Sequence, residues 1–223
     1  MEGCATLTGD DPLNPPGVIL AGGRSRRMGQ NKADVLLGPK TLLAHVVDRI
    51  RPQVSTLALN VAEDAFGDIK DDGRGTALPR VPDTLPGRRG PLAGILAAMR
   101  HTAASHPHVT HVLTVPVDSP FLPGDLMARF AEVATTSEAI AIASSDGNLH
   151  PVCGLWPVSL ADTLQTFLEG PDEPRVKGFL EGQKTSVVDF ELRVTALGPL
   201  DPFLNVNTPD DLETARRFLE THP

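Results

Sequence analysis

A short apolar strand runs directly into a glycine-rich and cation-rich loop in the stretch Gly17-Val-Ile-Leu-Ala-Gly-Gly-Arg-Ser-Arg-Arg-Met-Gly-Gln-Asn-Lys32. Glycines adopt backbone angles that are closed to other residues, so successive main-chain N–H groups can turn toward phosphate oxygens. Three glycines of the loop can serve in this way: Gly22, Gly23 and Gly29. Four cationic side chains supply the opposing charge: Arg24, Arg26, Arg27 and Lys32. The stretch therefore predicts a loop that binds a polyphosphate.

Two familiar phosphate-binding patterns do not fit this loop. The Walker pattern G-x-x-x-x-G-K-[ST] fails because two residues separate Gly29 from Lys32, and Ala33 follows the lysine. The dinucleotide pattern G-x-G-x-x-G is absent from the stretch. A surface turn with solvated arginines is the plainer alternative, but a turn needs only one glycine and gains nothing from crowded cations.

The composition is that of an ordinary globular protein. Hydrophobic residues make up 40% and charged residues 22% of the 223 residues, and aromatic residues are so few that Val, Leu, Ile and Ala must fill the core. The net charge of −8 argues against a broad nucleic-acid-binding surface, because such a surface needs a basic face. No repeat or linker divides the chain, so we expect one domain over residues 17–223 after a disordered extension, residues 1–16.

Cysteine usage and hydropathy predict a cytoplasmic protein. Cys4 and Cys153 are too few for a disulfide framework and lack C-x-x-C spacing, which fits a reducing compartment. The residues before Gly17 lack the apolar core of a signal peptide, and no apolar run has the length of a membrane span. We therefore expect no association with a membrane.

Short β-rich runs alternate with helical patterns along the chain, which is typical of an α/β fold. Strands are predicted at residues 17–20, 56–60, around Val81, at 111–115, at 139–143, and at 150–156 after an Asp146-Gly147 turn. Helices are predicted over residues 42–50, from Gly90-Pro91, after Pro123, and from Thr208-Pro209. The alternation predicts a parallel sheet that is covered by helices.

Ligands of open parallel sheets bind beyond the carboxyl ends of the strands, so the residues that follow each predicted strand are the candidates. Asn60 ends the second strand and Asp83 follows the third, where both could hydrogen-bond a base or a ribose. Asp118 follows the strand at 111–115 and stands between two prolines that stiffen its backbone. Taken singly, these three would be a strand end, a turn residue and part of a capped turn. Their predicted position beside a polyphosphate loop favours a functional interpretation.

Asp118 is the predicted ligand of a magnesium ion. Mg²⁺ usually takes few protein ligands and fills its octahedron with water and substrate phosphate. One rigid carboxylate that faces a polyphosphate loop is therefore sufficient.

Five motifs occur in chain order and resemble those of molybdenum cofactor guanylyltransferases, a branch of the nucleotidyltransferase superfamily. They are Leu20-Ala-Gly-Gly-Arg-Ser-Arg-Arg-Met-Gly29, Lys32, Gly90-Pro-Leu-Ala-Gly94, Pro116-Val-Asp-Ser-Pro120 and Asn205-Val-Asn-Thr-Pro209. The first motif alone marks the wider superfamily. Its double glycine resembles the guanylyl branch, whereas the cytidylyl branch that acts on the same pterin typically has L-A-A-G. The resemblance implies a Rossmann-like three-layer α/β sandwich of the nucleotidyltransferase type with a mostly parallel central sheet. It also implies Mg²⁺ as cofactor, and transfer of GMP from GTP to molybdopterin with release of pyrophosphate.

The resemblance also implies roles for individual residues. GTP would be bound by Leu20, Ala21, Gly22, Gly23, Lys32, Asn60, Asp83 and Asp118. Catalysis would depend on Asp118, Lys32, Arg24 and Arg27. Molybdopterin would be bound by His150, Arg175, Asn205 and Asn207. Its phosphate is already anionic near neutral pH, so His150 is expected to contact the substrate rather than act as a base. The family also implies transient contact with a molybdenum-insertion protein and with recipient molybdoenzymes.

The chain departs from the family pattern at Asn31, where Asp often precedes the lysine, and at Lys177, in a variable segment. The first departure argues against a role for a carboxylate there. Three other interpretations stay open: cytidylyl transfer to the same pterin, nucleotidyl transfer to a sugar phosphate, and a nucleotide-binding module without catalysis. The presence of both Asp118 and Lys32 argues against the last, and release of pyrophosphate would discriminate it from an enzyme.

Overall fold

The computed structural model describes residues 14–22, 31–61, 77–85, 90–171 and 174–221. Pro15 and Pro16 are buried, and their carbonyl groups accept hydrogen bonds from the N–H groups of Ser55 and Leu113, respectively. These two prolines therefore belong to the folded domain, although the sequence assigned them to a disordered extension. Residues 1–13 of that extension lie outside the described residues.

The described residues form eleven strands and six helices. The strands are β1 (Gly17–Leu20), β2 (Leu36–Leu37), β3 (Lys40–Thr41), β4 (Leu57–Val61), β5 (Arg80–Pro82), β6 (His111–Pro116), β7 (Ile140–Ser145), β8 (Asn148–Pro157), β9 (Thr185–Asp189), β10 (Arg193–Thr195) and β11 (Gly198–Leu200). The helices are α1 (Leu42–Ile50), α2 (Pro91–Ser105), α3 (Leu126–Val133), α4 (Ala161–Glu169), α5 (Val176–Leu180) and α6 (Pro209–Thr221). The predicted alternation of strands and helices is confirmed up to β8.

Seven of the described strands form the main sheet, in the order β5-β4-β1-β6-β8-β7-β9. Neighbours are parallel except at β8, which runs antiparallel to both β6 and β7. The predicted mostly parallel sheet is therefore confirmed. Because β8 is reversed and its Gly154 pairs with Thr114 of β6, the first residues of β8 lie beyond the carboxyl end of β6.

Hydrophobic clusters cover both faces of this sheet and make a three-layer sandwich. Residues of α1 and α3, including Ile50 and Phe130, pack on one face. Residues of α2, α4 and α5, including Ile95 and Phe179, pack on the other. A third, smaller cluster joins α6 to the β2–β3 hairpin through Leu212 and Leu37. The α/β sandwich expected from the sequence is confirmed.

Local sequence signals account for several element boundaries. The Asp146-Gly147 turn has positive φ at both residues (46° and 74°), which Asp and Gly tolerate, and it joins β7 to β8 as predicted. At the start of α6, the Thr208 hydroxyl accepts a hydrogen bond from the Asp211 N–H (3.2 Å). The Asp211 carboxylate in turn accepts from the N–H groups of Asn207 and Thr208, both at 2.9 Å. These reciprocal bonds form the capping box of α6.

Five elements between β8 and α6 have no counterpart among the predicted elements. The segment contains α4, α5, β9 and the short β10–β11 hairpin. Strand β9 pairs with β7 and forms an edge of the main sheet. Within the described residues, none of the helices combines the length and apolar character that crossing a membrane requires.

Candidate active site

A cavity of about 560 Å³ opens at the carboxyl ends of β1, β4 and β6. The wall residues of the cavity lie side by side across the sheet, in the order of its strands. They run from the end of β5 past the ends of β4, β1 and β6 to the start of β8. Ten of the predicted site residues line it: Leu20, Ala21, Gly22, Lys32, Asn60, Asp83, Asp118, His150, Asn205 and Asn207. The candidate site, as far as the structure describes it, therefore lies where ligands of open parallel sheets bind, beyond the carboxyl ends of the strands.

We call the wall formed by Leu20, Ala21, Gly22, Asn60, Asp83 and Gly94 the strand-end half of the cavity. Asn60 is 2% exposed, and its amide nitrogen donates to the Val81 carbonyl (3.0 Å) and to Oδ1 of Asp83 (2.9 Å). Among the described residues, the second oxygen of the Asp83 carboxylate has no hydrogen-bond partner, so it can accept a hydrogen bond from a ligand. Asn60 thus orients Asp83, a role that its position at a strand end did not reveal.

Gly94, in the first turn of α2, lies against this pair. A Cβ atom at position 94 would be 2.6 Å from Oδ1 of Asn60, which is far inside van der Waals contact. The absence of a side chain therefore lets α2 pack directly over the end of β4. This close approach explains the second glycine of the Gly90-Pro-Leu-Ala-Gly94 motif.

A lysine–aspartate pair lies at the middle of the cavity. Lys32 Nζ is 2.6 Å from Oδ2 of Asp118, and it also donates to the side-chain oxygen of Asn207. Both charged side chains are largely buried, at 18% and 15% exposed. Asn31 caps the short 3-10 turn that carries Lys32, because its side-chain oxygen accepts from the Ala33 N–H (3.1 Å). The amide oxygen of Asn31 is thus enough to cap this turn, at a position where the guanylyltransferases that the chain resembles often have a carboxylate.

The segment before α6 is attached to the loop that carries Asp118. The Val206 N–H donates to the Asp118 carbonyl (2.8 Å), and the Ser119 hydroxyl donates to the side-chain oxygen of Asn205 (2.8 Å). With the Lys32–Asn207 bond, these contacts bring a segment near the end of the chain into the cavity. Ser119 is a participant that the sequence did not single out, although it directly follows Asp118.

The donor set at Asp118 fits a hard divalent cation that takes few protein ligands. Among the described residues, no cluster of three His, Cys, Asp or Glu side chains could enclose a metal. The Asp118 carboxylate already contacts the Lys32 ammonium group, so a positive charge can be held beside it. Water and phosphate oxygens would have to complete the coordination shell, which is the habit of Mg²⁺.

We call the wall formed by Leu149, His150, Pro151, Val152, Phe203 and Asn205 the β8 half of the cavity. The His150 ring stacks on Phe203, with centroids 4.6 Å apart and planes 16° from parallel. Burial lowers the pKa of His150, and the nearby Asp201 charge only partly opposes the change, so the imidazole is neutral near pH 7. The neighbouring Cys153 is buried, and its thiol pKa is raised by the loss of solvent. Cys153 is therefore not an activated nucleophile.

Of the other four predicted site residues, one is described and does not line the cavity, and three lie outside the described residues. Arg175 is exposed, just before α5, and its predicted contact with the pterin stays a prediction. Gly23, Arg24 and Arg27 lie outside the described residues. Conversely, Phe203 and Gly94 line the cavity without having been proposed as ligand contacts. Phe203 had one signal in the sequence, since it is one of few aromatic residues and lies next to the Asn205-Val-Asn motif.

Residues 17–186 match the sequence profile of the MobA-like NTP transferase domain. Two relatives carry the name molybdenum cofactor guanylyltransferase. The protein of Rhizobium rhizogenes is 51% identical over 210 residues, which cover 94% of this chain and 94% of the relative. The protein of Rhizobium meliloti is 48% identical over 205 residues, which cover 92% of each chain.

Solved structures share the fold at lower sequence identity. Molybdopterin-guanine dinucleotide biosynthesis protein A of Archaeoglobus fulgidus has a TM-score of 0.65 at 22% identity, covering 92% of this chain and 98% of that chain. A Mycobacterium tuberculosis protein in complex with manganese has a TM-score of 0.62 at 18% identity, with the same coverage. The match to the domain profile and the identity to full-length relatives lead to one conclusion: the chain belongs to the MobA-like NTP transferase family and is a nucleotidyltransferase.

Proposed function

We propose that this protein transfers GMP from GTP to the terminal phosphate of molybdopterin, forming the guanine dinucleotide cofactor and releasing pyrophosphate. The names of its relatives support this activity. One observation carries the proposal: an oriented carboxylate, Asp83, and a buried Lys32–Asp118 pair line the same cavity. The Asp83 carboxylate can accept hydrogen bonds from a nucleobase, and the Lys32–Asp118 pair can bind a polyphosphate with its metal ion.

Asp83 supplies a reason to prefer guanine. Guanine presents two adjacent donors, N1–H and the N2 amine, and a carboxylate accepts hydrogen bonds without donating any. Asn60 holds one carboxylate oxygen of Asp83 at 2.9 Å, so the other oxygen is presented in a fixed direction. Cytosine has a single exocyclic amine donor beside an acceptor nitrogen, so it would match this carboxylate less well.

The chemistry follows from where negative charge moves. An oxygen of the pterin phosphate attacks the α-phosphorus of GTP, the bond to the β-phosphate oxygen breaks, and charge accumulates on the departing pyrophosphate. Lys32 would move from Asp118 to the phosphates and stabilise that charge. Arg24, Arg27 and Gly23, as part of the preceding loop, complete this proposed set.

Asp118 would hold Mg²⁺ together with water and the phosphate oxygens of the substrate. When bound, Mg²⁺ supplies Lewis-acid stabilisation of the reacting phosphoryl group. The attacking phosphate has its second ionisation near pH 6, so no protein base has to remove a proton. His150, neutral and stacked on Phe203, fits a substrate contact in the β8 half, with Asn205 and Asn207 beside it. The cytoplasmic location and the contacts with a molybdenum-insertion protein and recipient enzymes stay predictions.

The test incubates the purified protein with molybdopterin, Mg²⁺ and each of the four nucleoside triphosphates. Release of pyrophosphate and formation of the dinucleotide are measured together. GTP should give the highest kcat/KM, and a higher value for CTP would overturn the guanylyl assignment. Binding of nucleotide without any pyrophosphate release would instead support a non-catalytic module.

Asp83→Asn tests the base contact directly. The amide keeps the shape but turns one acceptor into a donor, which opposes the donors of guanine. The preference for GTP over the other nucleotides should fall by about tenfold or more, as expected when a paired polar group loses its partner. Asp162→Asn is the matched control, because Asp162 lies on α4, is 88% exposed and pairs with Arg100 at the surface. It should leave the nucleotide preference unchanged.

A further inference from the structure

A chain of three polar side chains supports the β8 half of the cavity from behind. Ser145, the last residue of β7, is 0% exposed. Its hydroxyl is 2.7 Å from Nε2 of His150 and donates to Oδ1 of Asp201 at 2.7 Å. The same carboxylate oxygen accepts the N–H of Phe203 at 2.8 Å, the residue on which His150 stacks. Asp201 therefore connects both rings of the stack.

The single proton of the Ser145 hydroxyl decides where His150 carries its own proton. A carboxylate is an acceptor only, so the hydroxyl proton goes to Asp201 and the hydroxyl oxygen can only accept from His150. Nε2 of His150 must then carry the hydrogen in the 2.7 Å contact with Ser145. In a neutral imidazole this leaves Nδ1 as a bare acceptor.

Nδ1 is also the nitrogen that remains for a ligand. His150 lines the cavity, and within the described part of the chain Nδ1 makes no hydrogen bond. The stack on Phe203 fixes the plane of the ring. A bare nitrogen lone pair repels phosphate oxygens but accepts from an N–H or amine group.

We propose that Ser145 and Asp201 are positioning residues that lock His150 with its proton on Nε2, so that Nδ1 accepts a hydrogen bond from an N–H or amine of the pterin ring system. This inference rests on the proposed function, because the pterin is the second substrate there. It assigns His150 to the ring system rather than to the phosphate of that substrate.

The first test measures the side-chain ¹⁵N chemical shifts of His150 in the wild type and in Ser145→Ala. The wild type should show a protonated Nε2 and an unprotonated Nδ1, and Ser145→Ala should shift toward a mixture of both tautomers. Ser144→Ala is the matched control. Ser144 is the preceding residue of β7 and is 6% exposed. Its hydroxyl donates to Oδ1 of Asp189 at 2.7 Å and not to His150. A proton on Nδ1 in the wild type, or an unchanged tautomer in Ser145→Ala, would overturn the proposal.

Kinetics provide the second test. Ser145→Ala should raise KM for molybdopterin by about tenfold, the scale of one lost hydrogen bond, while KM for GTP stays within about twofold. His150→Phe keeps the stack on Phe203 and should raise the same KM. In the His150→Phe background, Ser145→Ala should add nothing, because Ser145 acts through His150. Additive effects, or an equal rise in KM for GTP, would identify Ser145 as merely structural.

Ser145→Cys serves if Ser145→Ala does not fold. The thiol fills the site with a slightly larger group that is a weak acceptor and a weak donor, so it should change the tautomer and the molybdopterin KM in the same direction. A wild-type protein that transfers nothing to molybdopterin would overturn the proposed function. The ¹⁵N comparison would still decide whether Ser145 locks His150.

Discussion

The two halves of the cavity are built in different ways. In the strand-end half, the critical contact joins Asn60, near the end of β4, to Asp83, which follows the neighbouring parallel strand β5 and lies 23 positions away. In the β8 half, Ser145 reaches Asp201 across 56 positions and Ser119 reaches Asn205 across 86. The first half follows from the topology of the sheet, whereas the second requires a late segment of the chain to dock onto it. We therefore expect the halves to fail independently when they are mutated.

The largest expected effect comes from Asp118→Asn, which removes the charge between the two halves. Turnover should fall by orders of magnitude, since each 1.36 kcal/mol of lost transition-state stabilisation costs about tenfold in rate. Much of the GTP affinity and the fold should remain, because the strand-end half is untouched. GMP transfer, magnesium dependence and melting temperature are measured on the same variant.

Asp48→Asn is the control, since Asp48 forms a comparable pair with Lys40 (2.7 Å) outside the cavity. If Asp118 only caps a turn, its replacement would cost on the order of 1 kcal/mol of stability and leave turnover nearly normal. Such a result would contradict the assignment of Asp118 as the metal ligand. The two halves of the cavity would then no longer be linked through a metal ion at Asp118.

Lys32→Ala should weaken binding of GTP by roughly tenfold or more, because a charge-assisted contact with the terminal phosphates is lost. The loss for GMP should be much smaller, since GMP lacks those phosphates. Calorimetric titration of both nucleotides makes the comparison, and Lys40→Ala, at a lysine that is 52% exposed, is the control. Equal losses for GTP and GMP would contradict a role at the triphosphate.

Asn60→Ala should impair the strand-end half alone. Without the Asn60 amide, the Asp83 carboxylate loses the donor that orients it, and KM for GTP should rise by about tenfold. KM for molybdopterin should stay near the wild-type value, the reverse of the expectation for Ser145→Ala. Steady-state kinetics with each substrate varied in turn measures both, and a parallel rise in the two constants would argue against independent halves.

The smallest effect is expected from Asp211→Ala, which removes one half of the capping box of α6, at the edge of the β8 half. Burial alone would raise the pKa of Asp211, but hydrogen bonds from Asn207 and Thr208 and the charge of Lys32 hold it below its usual value. The variant should lose about 1 kcal/mol of stability at neutral pH. Because the folded-state pKa is depressed, the difference should be present above about pH 4 and disappear as the pH falls through the folded pKa. Urea unfolding at several pH values tests this, and a difference that persists in strong acid would contradict it.

The sequence predicted most of the strand-end half because its signals are local. Buried runs followed by polar residues identify Asn60 and Asp83 without knowledge of their partners, and the carboxyl ends of parallel strands meet at one edge. The orientation of Asp83 by Asn60 was missed, because the hydrogen bond depends on the register of β4 and β5. Ser145 and Asp201 gave no signal, since a serine near the end of a strand and an aspartate in a loop are ordinary. Among the elements missed between β8 and α6, α5 and β10 are too short to show periodicity.

The close approach of Gly94 to Asn60 has a consequence for how such sequences can diverge. A side chain at position 94 would collide with the Asn60 amide, at 2.6 Å from its oxygen, so position 94 cannot change freely while Asn60 is kept. A shorter residue at 60 would make room at 94, but it would also release Asp83. In descendants that keep the same base preference, the two positions should therefore stay fixed together. In lineages that change their nucleotide, they should be replaced as a pair.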